Sequence, residues 1–539
     1  MLFGRSPYDP GSWAEGAREY PEAVVAGAAT LAATALILSL TISPYVQSYD
    51  DIVLIPAVFF ILWLVERAAA TPADRLRGSD RGRDRLPLAR YRPAGDHWDA
   101  GRERGAAAAL RAGARSRRVC RDGAGTLSRT LRIAIFHLGF FYSGGGEKLV
   151  LEQARELRAR DHSVAVYAPV VDMAACFPDL MAEVQPQALL RRMPDLFGVG
   201  DALTLLASSF VAGYLTRDID ADVYLGANQP GAWLAHAAAH AHRKRYVVYL
   251  SQPNRLLLPR AIDRSPDAIV VRRDYFLLAL AALLGRPLLD RADRKSVGGA
   301  AVRLGDGPYI TTILRFYYGG AWRNCPAAVR PAGSRPADLH LRPSRSVRIN
   351  GTQIDGPIVL LTNRHYPQKR FEWMFPVIER VRRDHQDATL VITGAETVYT
   401  AWLREEVRRR ALDSAVKFLG HVSESDLTEL YRAATVYVYP SPEEDFGLGI
   451  VEAMGHGTPV VAWDNAGPAG IIEDDRSGRL IQLDDHAGFA EAVAAIVRDD
   501  ELRIRLGVGG WDRVRERFSF ARHVDVLEAA LQEAAAYHP

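Results

Sequence analysis

The sequence predicts an α/β chain with two doubly wound domains facing a cleft, and three observations predict it. Short apolar runs recur from Leu131, with helical segments between them. A second series of the same kind begins at Pro357. Fully apolar strands separated by helices indicate parallel sheets covered on both faces. Between the two series, residues 326–356 carry Pro326, Pro331, Pro336 and Pro343 among arginines, the composition of an interdomain connection. At 539 residues the chain is long enough for two or three separate cores.

In the first series, Leu131–His137 reads as a buried strand and Glu147–Arg160 as an amphipathic helix. Ser163–Pro169, Val223–Gly226, Tyr246–Leu250 and Ala268–Val271 read as further strands. The second series places strands at Pro357–Leu361, Ala388–Gly394, Val416–Gly420, Thr435–Pro440, Pro459–Trp463 and Gly478–Gln482. Ser423, with Asp426 three residues later and Leu427 next, suits a capped helix start. The expected division is a first domain over 131–325, the connection over 326–356, a second domain over 357–520 and a C-terminal helix over 521–539.

Residues 1–70 have a different character. No charged side chain occurs from residue 23 to 49, a run longer than the ~20 helical residues that span a bilayer core. A cleaved signal peptide is disfavoured, because the run starts late and lacks a basic leader. Ile52–Val65 is a shorter apolar run, either a second crossing or a re-entrant segment, and the short link Tyr45–Asp51 favours a hairpin. An arginine-rich linker follows over 71–130, from Arg75, Arg77 and Arg81 to Arg117, Arg118 and Arg121. Such a cluster beside a membrane stays on the cytoplasmic side, which puts the later domains there as well. It also suits contact with anionic headgroups, although much of it reads as a solvated linker. A net charge of +3 gives no general case for nucleic-acid binding, and Cys120, Cys176 and Cys325 are too far apart for a zinc site or disulfide framework.

Three stretches carry chemistry. Gly144, Gly145 and Gly146, between the first strand and first helix, can offer backbone N–H groups to an anion. Their spacing is neither a dinucleotide fingerprint nor a Walker loop. Arg364 and Lys369 come after the first strand of the second domain, where two cations can neutralise a diphosphate. The third stretch, Tyr439–Pro459, holds Glu444 and Glu452 on either side of Gly447 and Gly449, ahead of a helix. Close backbone approach at a helix N-terminus makes an anion site, and flanking carboxylates can hold hydroxyls beside the phosphate. Asp218, Asp220 and Asp222 offer an Asp-x-Asp pattern, which reads instead as a turn entering the next strand.

Residues 131–539 resemble a retaining glycosyltransferase of family 4, with the GT-B fold of two Rossmann-like domains. The resemblance rests on Gly144–Val150, on Arg364 with Lys369, on Phe418–Val422, and most strongly on Glu444–Val461. It implies that Arg364 and Lys369 bind the donor diphosphate, assisted by backbone N–H groups near Gly449 and Ile450. It implies that Glu452 holds the ribose, that Glu444 contacts the transferred sugar, and that Gly145 and Gly146 let the first domain approach donor and acceptor. The implied reaction transfers a hexose with retention from a nucleotide sugar, without a metal or other cofactor. Gly144–Val150 and Tyr249–Arg255 resemble the mannosyltransferases that extend lipid-linked oligosaccharides, which makes GDP-mannose the first expected donor. With the N-terminal segment, the expectation is a membrane-anchored enzyme acting on a lipid-linked or glycan acceptor from the cytoplasmic side.

Two positions depart from the family pattern. Gln252 stands where a His-x-Pro histidine is frequent, and Gly470 where the Gly-Pro-Ala-Glu element has its carboxylate. Both bear on the acceptor side. They leave two alternatives: a catalytically impaired nucleotide-sugar-binding membrane scaffold, or another enzyme of the same fold such as a nucleotide-sugar epimerase.

Overall fold

The computed structural model describes residues 129–191, 204–205, 208, 211–264, 286–330 and 346–536. The apolar N-terminal runs, the arginine-rich linker up to residue 128 and the expected strand at Ala268–Val271 lie outside the described residues. Among the described residues, no helix is long and apolar enough to cross a membrane.

Among the described residues, seven strands form the first sheet: β1 (Arg132–His137), β2 (Ser163–Ala168), β3 (Gln187–Ala188), β4 (Val223–Ala227), β5 (Tyr246–Leu250), β6 (Val302–Gly305) and β7 (Arg323–Asn324). They are all parallel, in the order β3-β2-β1-β4-β5-β6-β7. A two-stranded antiparallel hairpin, β8 (Ser346–Ile349) with β9 (Thr352–Asp355), precedes the second sheet. That hairpin corrects the reading of 326–356 as connection throughout, since Ile349 and Ile354 are fully buried anchors. The second sheet contains β10 (Ile358–Thr362), β11 (Thr389–Thr393), β12 (Val416–Gly420), β13 (Val436–Tyr439), β14 (Val460–Trp463) and β15 (Arg479–Ile481). Its order is β12-β11-β10-β13-β14-β15, again parallel.

Every residue of β4, β5 and β13 is buried, as a strand covered by helices on both faces requires. In each sheet the chain winds outward on one side of its first strand and then returns to the other. The strand order therefore reverses between β1 and β4, and between β10 and β13. Open α/β sheets bind ligands beyond the carboxyl ends of such strands.

The chain crosses between domains twice, at adjacent places. Val329 pairs with Ser519 in a parallel bridge, and the Val329 N–H donates to the Phe518 carbonyl at 3.1 Å. The C-terminal helix, Phe520–Ala536, then lies on the first sheet rather than the second. There Val524, Leu527 and Leu531 are fully buried, and Arg323 meets Glu533 with two hydrogen bonds of 2.6 and 2.8 Å. The fold is thus GT-B-like, with the last helix closing the first domain.

Candidate active site

The two reversal points face one another across a cavity of about 650 Å³. From the first domain it is lined by His137, Tyr142, Gly145, Gly146, Asn228, Gln229 and Ser251 among others. From the second come Asn363, Arg364, Lys369, Glu444, Gly447 and Leu448. Most of the residues singled out in the sequence meet here because each lies just past the carboxyl end of β1, β10 or β13.

Glu444 is the centre of the second-domain wall. Its Oε2 accepts from the Lys369 ammonium, and from the Tyr439 hydroxyl at 2.7 Å. Burial alone would raise its pKa; the charges of Lys369 and Arg260 overcome that and hold the carboxyl below its usual range. Glu444 is therefore ionised at neutral pH and accepts hydrogen bonds. Arg364 lies 4.1 Å from the Tyr142 ring of the first domain, a cation–π contact across the cleft. Burial, reinforced by Glu147, raises the Tyr142 hydroxyl above its ordinary value, so it stays a neutral donor.

Helix α1, Leu448–Gly455, starts at this cavity, and Gly447 caps it with φ +108°, a left-handed backbone that favours glycine. A Cβ on Gly449 would lie 2.5 Å from the Tyr437 hydroxyl, so only glycine lets the helix settle against β13. Gly145 sits close on the opposite side: a Cβ there would be 3.1 Å from Leu448 Cδ2.

Ile450 departs from the expectation. Its side chain is fully buried and its backbone N–H donates to the Gly447 carbonyl at 2.9 Å, so that amide is used in the first turn and does not face an anion. Neither Gly449 nor Ile450 lines the cavity; Leu448, one residue nearer the helix start, does. Glu452 is separate too. It lies a turn further along α1 and lines a second cavity of about 410 Å³ between the domains, with Lys148, Glu424, Leu427, Tyr431 and Leu448. Tyr431 donates to Glu452 at 3.0 Å, and Lys148 of the first domain stands 3.5 Å away while donating to Glu424 at 2.6 Å. Leu149 and Leu448 line both cavities, which lie side by side there.

Several contacts were not foreseen from the sequence. Arg255 donates to Asp445 across the cleft, and Arg260 donates to the Glu443 carbonyl at 2.9 Å while pairing with Asp263 at 3.0 Å. These contacts seat the 251–264 loop on the acidic loop of the second domain. Glu443, Glu444 and Asp445 are consecutive acidic residues in the sequence, which does not name their partners. By contrast, Asp220 and Asp222 pair with Arg132 at 3.1 and 3.3 Å, at the amino end of β4 and away from the cleft. Gly470 lies at the domain boundary, where its Cβ position is 3.8 Å from Pro308.

Asp306, at the cavity floor, was not foreseen either. It is 4% exposed, its Oδ1 accepts from the Ala327 N–H at 2.5 Å, and burial raises its pKa to about 7. A carboxyl whose folded pKa is raised binds its proton more tightly in the native state. Its contribution to stability is then present below the unfolded pKa near 4 and is lost as pH rises through about 7. Asp306→Asn should flatten that slope, so that the urea midpoint of the variant falls less than wild type between pH 5 and 8. Parallel denaturation curves over that window would refute the assignment.

Residues 356–499 match the family described as glycosyl transferases group 1. The chain is 24% identical to human alpha-1,3/1,6-mannosyltransferase ALG2, over 70% of this chain and 90% of that protein. It is 33% identical to phosphatidyl-myo-inositol mannosyltransferase of Mycobacterium leprae over 30% of this chain and 42% of that one. For the D-inositol 3-phosphate glycosyltransferase of Corynebacterium kroppenstedtii the figures are 31%, 35% and 44%. The match thus spans under half the length of these two bacterial relatives. Among solved structures, HepE of Anabaena with UDP and glucose aligns over 74% of this chain and 99% of its own, at 17% identity and TM-score 0.54. Sucrose-phosphate synthase of Thermosynechococcus elongatus aligns over 74% and 97%, at 18% identity and TM-score 0.55.

Proposed function

We propose, from the premise that the chain belongs to the glycosyl transferases group 1 through residues 356–499, that it is a retaining hexosyltransferase using a nucleotide sugar. The observation that carries this reading is the convergence of Arg364, Lys369 and the ionised Glu444 on one cavity, opposite Gly145 and Gly146 at the start of the helix Gly145–Ala159. The mannosyltransferase relatives favour mannose, with GDP-mannose as first donor. The acceptor is lipid-linked or glycan, and the apolar N-terminal runs serve as a membrane anchor with the catalytic domains on the cytoplasmic side.

In this reading the donor's diphosphate takes the Lys369 ammonium from Glu444, and Arg364 supplies forked donors to the same phosphates. Glu444, freed from Lys369 but still holding the Tyr439 hydroxyl, accepts from hydroxyls of the transferred sugar. The bond from the sugar's anomeric carbon to the phosphate oxygen breaks, and negative charge grows on that oxygen. Fixed cations at the leaving oxygen stabilise this charge more in the transition state than before it. The acceptor hydroxyl forms the new bond on the same face, and its proton passes to the departing phosphate. The second cavity takes the nucleoside, with Glu452 accepting from ribose hydroxyls. No metal or other cofactor is assigned a step.

The test uses the full chain with a panel of nucleotide sugars. A ligand at 100 times its Kd stabilises the native state by about 2.7 kcal/mol, a readable shift in melting temperature. GDP-mannose should give the largest shift, and the sugar released to a saccharide acceptor should be the α anomer by NMR. No shift from any nucleotide sugar, together with no turnover, would sink the proposal, and a β product would sink retention.

A further inference from the structure

The first-domain wall of the larger cavity has a chemistry of its own. Asn228, Gln229, Gln252 and Asn254 line it together with the indole of Trp233. Two of these are fixed from below by a buried carboxylate. Asp293, 1% exposed, accepts from Trp233 Nε1 at 2.9 Å, Asn254 Nδ2 at 3.2 Å and the Tyr318 hydroxyl at 2.7 Å. Asn228 is fixed as well, its Oδ1 accepting from the Ser251 N–H at 2.9 Å.

Gln229 differs from its neighbours. Both its amide oxygen and its amide nitrogen are buried and have no hydrogen-bond partner. A buried polar group without a partner is costly, and native proteins seldom keep two on one side chain without use. An amide offers one acceptor and two donors side by side, which matches vicinal hydroxyls, and an indole face suits the apolar face of a sugar ring. The two arginines that line this wall each face a carboxylate, Arg255 with Asp445 and Arg260 with Asp263. Among the described residues the wall therefore offers neutral donors and acceptors rather than spare positive charge. Beside Trp233, Leu256, Leu257 and Leu289 continue the cavity as an apolar patch.

We propose that this wall, through Gln229 and Trp233, binds a neutral sugar ring as the acceptor, with the leucine patch taking an apolar group carried on that sugar. The assignment rests on the glycosyltransferase reading above and narrows its acceptor to an uncharged saccharide, as opposed to a phosphate-bearing headgroup.

The test measures binding to the full chain of methyl α-mannoside, octyl α-mannoside and inositol 1-phosphate, by saturation-transfer NMR. GDP binding is followed in the same samples. Gln229→Leu keeps the side-chain volume and removes both amide atoms, and Gln229→Ala serves as a second variant should the first fold poorly. The expected result is that both mannosides bind wild type, that either variant weakens them about tenfold, and that GDP binding stays within twofold. The octyl form should bind more tightly than the methyl form, and equal binding of the two overturns the role given to the leucine patch. Saccharide binding unaffected by both substitutions overturns the acceptor assignment while leaving the donor site intact. Preference for inositol 1-phosphate over both mannosides overturns it likewise. Failure of every nucleotide to bind overturns the donor reading and the acceptor assignment with it.

Discussion

Lys369→Ala should lower the rate of sugar transfer at saturating donor by roughly 100- to 1,000-fold, the range found when one preorganised donor to a developing oxyanion is removed. The ammonium has the part-buried Glu444 carboxylate for its partner in the absence of donor, which fixes its position without leaving Glu444 uncompensated. The substitution therefore has a second effect. It strips Glu444 of its main counter-charge, leaving the Tyr439 hydroxyl at 2.7 Å and the more distant charge of Arg260. Breaking one side of a buried pair is destabilising in its own right. The two effects separate in a Lys369→Met, Glu444→Gln double variant, in which neither charge is left without its partner. Its urea midpoint should return towards wild type while its rate stays as low as that of Lys369→Ala. Lys369→Arg keeps the charge but spreads it over a planar fork, and should recover only part of the rate. Initial rates within threefold of wild type for Lys369→Ala would remove the residue from the leaving-group site.

The site residues placed just after a strand were legible in the sequence. Arg364, Lys369 and Glu444 each come soon after an apolar run, and parallel strands deliver the residues beyond their carboxyl ends to one edge of the sheet. Gly447 was equally legible, because a helix entered through a left-handed residue asks for glycine. Contacts whose partners are distant in sequence escaped, since they carry no periodicity. Tyr142 on Arg364, Arg255 on Asp445 and the C-terminal helix on the first sheet all depend on how the domains meet. The Ile450 amide failed for a local reason: a helix that starts at Leu448 uses that N–H in its own first turn. The short strands β3 and β7, two residues each, have too few positions to show a pattern at all.

Glu452→Gln should raise the donor KM by about 10- to 100-fold with little change in kcat, since a hydrogen bond to a charged group contributes about 1.5–3 kcal/mol. Loss confined to KM is the mark of binding that is equal in the ground and transition states, as expected for a ribose contact remote from the breaking bond. Glutamine keeps an oxygen for the Tyr431 hydroxyl, now at 3.0 Å, so the packing behind α1 survives the change. Lys148 makes the prediction sharper. Its ammonium, 3.5 Å from Glu452 and 2.6 Å from Glu424, bridges the domains over the second cavity. A ribose that engages Glu452 must share that carboxylate with Lys148, so domain closure and nucleoside binding draw on the same group. In a double-mutant cycle, Lys148→Ala should therefore cost less in the Glu452→Gln background than in wild type, by a coupling of about 0.5–3 kcal/mol. Strict additivity would mean that Lys148 closes the cleft through Glu424 alone, and that the two cavities are occupied independently.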